Sequence, residues 1–314
     1  MAITETIQRW LADPAPELSF EISSQGLAYA ARSGAPRWVP FDEDTLRISP
    51  LEENILRNES FLRAVREAAG IGGGRERRTA VVILPDFAAR MAVLDFSHFP
   101  VEPEEQRALV RFRMKKTVPF DVDAAAVSCF VQPRPNGAKE VDVLATLVSL
   151  EILAKYEAAF RAAGLWPGRI TTSTLAALEL VPASGCRVLI KLSNKVLTVA
   201  VTVEGRVRLL RCVELALSEE EGDEPGVSSL AFSTRMARSL ERFCDEEEFG
   251  RVLYPTLAYL EEELKIRPDS VHLCGLASLP VDVDLPVQTL ESPFGTPNPC
   301  NAGLLGYLAS GGRS

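Results

Sequence analysis

The sequence predicts an α/β protein built from two related halves with a small α/β subdomain inserted between them, and three observations carry that prediction. A meander of three short β-rich runs is written twice, over residues 18–41 and again over 186–215. Each meander is followed by a helical stretch and one further apolar strand, TAVVILP after the first and SVHLCG after the second, so the repeating unit is larger than a hairpin. The residues between the two copies carry strands and helices of their own. At 314 residues the chain is long for one core. The expected division is residues 1–96 for the first half, 97–165 for the inserted subdomain and 166–314 for the second half, with the C-terminal tail returning to the first.

In chain order, Ile3, Ile7, Trp10 and Leu11 share one face of a short helix docked on the body. The first meander reads ELSFEIS, a turn at Gln25-Gly26, LAYAAR, a turn at Ser33-Gly34, then PRWVPF. Ser49-Pro50 reads as a helix start, with Glu52 and Glu53 favourable to the dipole, and the helix runs through Phe61, Leu62 and Val65 to Gly70. Gly70, Gly72, Gly73 and Gly74 close that helix and precede a strand. A phosphate-binding loop has the opposite order, strand before and helix after, so these glycines read as a cap and linker. From Thr79 two strands flank a Pro85-Asp86 turn, and Pro103-Glu104-Glu105 begin a helix that stops before Pro119. Residues 126–132 and 141–149 form a strand pair across the turn-rich 133–139, and a helix over 150–163 ends at Gly164. The second meander, RVLIKLS, VLTVAVTV and RVRLLRCVEL, turns at Asn194-Lys195 and Glu204-Gly205. An acidic loop over 219–224 precedes a helical region over 228–264, which Gly250 and Pro255 are expected to divide in two. NPCNAGLLGYLA reads as a final short helix.

Composition excludes several classes. A net charge of -9 argues against a dedicated nucleic-acid binder. No apolar run approaches the roughly 18 residues needed to cross a bilayer, and the N-terminus lacks a basic segment and a long apolar core, which predicts a cytoplasmic protein. The six cysteines, Cys129, Cys186, Cys212, Cys244, Cys274 and Cys300, are scattered without a C-x-x-C pair, so they read as small hydrophobes rather than disulfide or metal ligands. His98 and His272 sit in no hydrolase or zinc motif, and the paired carboxylates are surface runs. No catalytic residue and no metal site is expected. The helix that begins at Pro103 is a better candidate, because Arg107, Arg111 and Lys115 recur at helical spacing as a basic stripe.

Three segments carry a family resemblance: VVILPDFAARMAVLDF, PEEQRALVRFRMKKTVPFDV, and VLATLVSLEILAKYEAAFRAAGLWPGRITTSTLAALEL. They resemble the PilM family of type IV pilus assembly proteins, within the actin, sugar-kinase and Hsp70 superfamily, through its LPD-x-x-x-R strand pair, its K-x-x-PFD signature and its AGL-x-P helix end. Lys116, Pro119, Phe120, Asp121, Ala163, Gly164, Leu165 and Pro167 fall on those positions. The resemblance implies duplicated actin-like, ribonuclease H-like halves. It further implies a cytoplasmic address at the inner face of the inner membrane. There the protein would capture the N-terminal cytoplasmic tail of a single-pass assembly protein, PilN in that family, in a groove between the first half and the insert. The groove walls would be the strand pair over 79–96 and the helix over 104–120, with Arg107, Arg111, Phe112, Lys115, Lys116 and Phe120 as partner-binding residues. Membrane association would come through that partner, and a homo-oligomer is left open. The cytoplasmic L protein of type II secretion is the related alternative.

The family's fold implies ATP between the halves, with a carboxylate at the first strand of each half organising Mg2+ and glycines admitting the phosphates. The first pattern, I-D-x-G-S, falls on Phe20 to Ser24, so Glu21 replaces Asp and Ser23 replaces Gly, with Ser24 at the last position. The second, D-x-G, falls on Lys191, Leu192 and Ser193, and the adenosine-side G-G falls on Gly275 and Leu276. A lysine where an acid belongs repels Mg2+, and side chains at the close-approach points crowd the backbone donors. The expectation is an actin-like pseudo-ATPase without cofactor, with an ATP- and Mg2+-binding ATPase as the alternative.

Overall fold

The computed structural model describes residues 16–32, 34–70, 78–134, 140–215 and 246–311 of the chain. The expected helix over 3–11, the glycine linker beyond Gly70, most of the 133–139 turn, the acidic loop and the first part of the 228–264 helical region lie outside the described residues. The first half opens with β1 (Leu18–Ile22), β2 (Gly26–Ala31), β3 (Arg37–Pro40), α1 (Asn58–Ala69) and β4 (Arg78–Leu84). The insert supplies β5 (Arg90–Phe96), α2 (Pro103–Met114), β6 (Ala125–Pro133) and β7 (Val141–Ser149). The chain returns through α3 (Leu150–Ala162), β8 (Leu165–Thr172) and α4 (Ser173–Ala177). The second half holds β9 (Cys186–Ser193), β10 (Val196–Val203), β11 (Arg206–Glu214), α5 (Glu246–Glu262), β12 (Ser270–Cys274) and β13 (Val287–Thr289), and α6 (Ala302–Ala309) closes the chain.

The duplication is visible in the sheets. The first runs β3-β2-β1-β4-β8 and the second β11-β10-β9-β12-β13. In each, an antiparallel meander is extended by two parallel strands. Period-two alternation then sorts the side chains. In β1, Phe20 and Ile22 join Phe61 of α1 and Tyr156 and Phe160 of α3 in the first core, with the Phe20 and Phe160 rings 5.2 Å apart and edge-on. The opposite face, with Ala28, Ala30, Val81 and Ile83, packs on Ala176 of α4 and on Leu304 and Tyr307 of α6. In β9, Val188, Ile190 and Leu192 join Phe249 and Leu253 of α5 in the second core. Its other face looks toward the insert, where Leu189, Ala200 and Leu210 meet Met91 and Val148. A third sheet, ordered β5-β7-β6, carries α2 through Val110 and Met114. Among the described residues, no helix is long and apolar enough to cross a membrane.

Four local expectations change. The helix expected from Pro50 begins at Asn58, because the Ser49 hydroxyl accepts from the Leu51 and Glu52 amides and Asn54 accepts from the Ser49 amide, which stabilises a turn instead. β4 and β5 do not pair with each other: β5 pairs antiparallel with β7 along its whole length, so the third sheet begins at Arg90. α3 buries Ile152, Tyr156, Ala159 and Phe160 in the first core and so belongs by its contacts to the first half. α5 continues through both Gly250 and Pro255. A Cβ on Gly250 would lie 2.9 Å from the Tyr254 ring, so the glycine is a packing choice there. The caps at Gly70 and Gly164 match expectation, with left-handed φ of 61° and 77°.

Candidate functional site

Glu21 on β1 and Lys191 on β9 occupy corresponding positions in the two repeats, and both point away from their own half's main core toward the interface between halves. Three further polar groups join them. Asp86 follows β4, Ser173 and Thr174 open α4, and Thr198 lies opposite Lys191 on β10. Lys191 donates from Nζ to Asp86 Oδ2 at 3.0 Å and to Ser173 Oγ. Ser173 donates in turn to Glu21 Oε1, and the Leu304 amide in the first turn of α6 donates to Glu21 Oε2 at 2.7 Å. Asp86 also accepts from the Thr174 amide at 2.7 Å, the Thr174 hydroxyl at 2.6 Å and the Thr198 hydroxyl at 3.4 Å. Lys191 is 2% exposed, Glu21 1% and Asp86 5%, so these charges are sealed from water and compensated by one another.

Burial alone would push the Lys191 pKa down, but the Asp86 and Glu21 carboxylates outweigh it and hold it up at about 12. Burial raises the Glu21 pKa, opposed by Lys191, Ser173 and the Leu304 amide. The nearby thiols are inert by the same cause, burial raising Cys212 and Cys274 to about 12 and Cys300 to about 11.

The other cleft candidates have local work. The Ser23 hydroxyl donates to Gly26 O at 3.0 Å and accepts from the Gln25 amide, tying it into its own hairpin, and Ser24 lies in the same turn. Leu276 is buried in the second core, away from the interface. Gly275, at φ 82°, sits where a Cβ would be 2.2 Å from Leu192 O, so only glycine fits. The space left beside Asp86, Ser173, Lys191 and Ser193 is a cavity of about 20 Å3. That is room for one water, whereas small-molecule sites occupy about 300 Å3 or more. A divalent cation placed between the two carboxylates would meet the Lys191 ammonium, so the residues present do not fit Mg2+.

On the insert, the expected basic stripe is broken. Arg111 donates to Val122 O at 3.0 Å and Ala125 O at 3.1 Å, fastening the turn that leads into β6, and Arg107 pairs with Glu104 at 2.5 Å. Phe120 packs against the insert core. Phe112 is 75% exposed at the solvent pole of α2, and Lys115 and Lys116 lie exposed beside it. His272 is buried with Ser270 Oγ and Gln288 Nε2 each 3.2 Å from its Nε2. Asp86, Ser173, Thr174 and Thr198 are the site residues that sequence reasoning missed. The one signal pointing to them was the Asp of LPD, which read as part of a turn.

No protein-family model and no curated protein matches this sequence. Solved structures do. A chain of the "PilM-PilN type IV pilus biogenesis complex" superposes with a TM-score of 0.65 and 18% identity, over 96% of this chain and 100% of that one. The chain has the actin-like fold of PilM. The cytoplasmic domain of EpsL, an inner membrane component of the type II secretion system of Vibrio cholerae, shares the same actin-like architecture at a TM-score of 0.51 and 12% identity, over 93% of this chain and 94% of that one. The duplicated actin-like halves expected from the two meanders are thus those of a fold found in pilus and secretion components.

Proposed function

We propose that this protein is a non-catalytic, actin-like scaffold of a type IV pilus or related secretion machine, working at the cytoplasmic face of the inner membrane. In this reading it holds the cytoplasmic N-terminal tail of a single-pass, PilN-like assembly protein. The observation that carries the non-catalytic part is Lys191, whose ammonium bridges Asp86 and Ser173 where the actin-like fold would hold a metal and its phosphates. The remaining cavity of about 20 Å3 supports the same reading. The partner class is supported by the end-to-end match to a chain of the PilM-PilN complex, and the EpsL match supports type II secretion as the second setting.

Titration calorimetry with Mg-ATP on the full chain is expected to give no binding heat at millimolar nucleotide, and micromolar binding would overturn the proposal. The docking face we assign is the solvent side of α2, where Phe112 and the two lysines face outward. Phe112→Ala combined with Lys115→Glu and Lys116→Glu is expected to weaken binding of the partner's tail peptide about tenfold. Unchanged affinity would remove α2 from the interface.

A further inference from the structure

Two polar joints cross from the first half and its insert to the second half. The inner joint is the Lys191 cluster. The outer joint starts from Gln132 on β6, whose side-chain amide donates to Val207 O at 2.9 Å and accepts from Val207 N at 2.9 Å, satisfying both backbone groups of one residue on the outermost strand of the second sheet. Asp142, directly opposite Gln132 in the β6–β7 register, accepts from Arg134 at 2.7 and 3.0 Å and from Arg208 of the second half. Gln132 and Asp142 are each 5% exposed.

The joints are well apart. Val207 pairs with Thr202 on β10 and Lys191 with Thr198, a separation of four residues along that strand on opposite sides of it. Strand geometry converts this to about 13 Å along β10 and about 10 Å across. Between them, Met91, Val148 and Leu144 pack on Leu189, Ala200 and Leu210. One joint alone would leave a hinge. Two joints leave only rotation about the line through both, and the apolar layer packed between them resists that motion.

We infer that these joints lock the halves and the insert into one rigid body, so that the docking face on α2 is presented in a single orientation without a nucleotide to close the molecule. The inference rests on the scaffold reading and supplies its regulation: shape is held by Lys191 and Gln132 rather than by a ligand. A tail that binds a preorganised face pays no closure cost.

Amide hydrogen exchange on the full chain tests it, with peptides that contain Thr174 and Val207 as reporters. In the Gln132→Ala variant, exchange is expected to rise about tenfold at Val207 and also at the distant Thr174. Lys191→Met is expected to do the reverse, loosening Thr174 and, remotely, Val207. Acceleration confined to the altered joint in every variant that folds would overturn the lock, and Gln132→Ala decides alone if Lys191→Met does not fold. Added Mg-ATP separates the two ideas. Slower exchange at Thr174 of the unaltered protein would sink the scaffold reading, and loss of coupling between joints would sink only the lock.

Discussion

A lysine that is 2% exposed persists only because its charge is spent internally, and this sets what its removal should do. Lys191→Met leaves Asp86 and Glu21 facing each other without a cation, and urea denaturation should report a loss of about 3–5 kcal/mol. Adding Asp86→Asn removes one stranded charge and should recover much of that loss. The pH dependence has a definite sign. The Lys191 pKa rises on folding from 10.5 to about 12, so its stabilisation is complete below 10.5 and is lost as pH climbs through about 12. Glu21 is also raised in the fold, but for an acid this favours the protonated form. Its contribution therefore grows as pH falls through its folded value toward 4.5. Denaturation of the Glu21→Gln variant should lack that acid-side gain, and an identical pH profile would refute the assignment. Two of the six residues of this cluster were legible in the sequence: Glu21 and Lys191 fall where the resembled family places its two carboxylates. Asp86 was not, because its link to Lys191 spans 105 residues and leaves no local pattern.

Among the elements, the crossing of α6 over α4 is the least tolerant. Gly303 and Gly306 let the helices meet backbone to backbone, since a Cβ on Gly306 would lie 2.0 Å from Ala176 O and one on Gly303 2.8 Å from Ser173 O. Gly306→Ala should therefore cost about 1–3 kcal/mol or more by overpacking. Gly168→Ala, where nothing lies within 4 Å of the added carbon, should change stability by less than about 0.5 kcal/mol. Comparable losses in the two variants would contradict the packing account. Strand existence was legible because the alternation in VLTVAVTV and the turns at Asn194 and Glu204, both in left-handed conformation, are local signals. Pairing was not: β5 follows β4 after a short turn yet pairs with β7, 53 residues on by register from Ala92 to Ala145. Pro255 misled for a related reason. Buried Val252, Leu253, Thr256 and Leu260 hold α5 together by packing, which outweighs the break a proline favours in isolation.

At the scale of the molecule, the interface between halves is apolar as well as ionic, so the halves should unfold together. Calorimetry should show one cooperative transition whose midpoint is indifferent to Mg-ATP, whereas micromolar binding at millimolar nucleotide would add about 4 kcal/mol. Two resolved transitions would mean the halves are energetically separate. The duplication was legible because it rests on a repeated local pattern, and the PilM-like fold because short contiguous signatures such as K-x-x-PFD carry the resemblance. The extent of the insert was not, since its first strand and the helix after its last are defined by the partners they find in space. The Gln132 joint has one more consequence. With the Val207 amide and carbonyl both engaged, the outer side of β11 offers no free template at that residue for a strand from another copy. Filament growth by extending the second sheet across β11 would have to begin by giving up those two bonds.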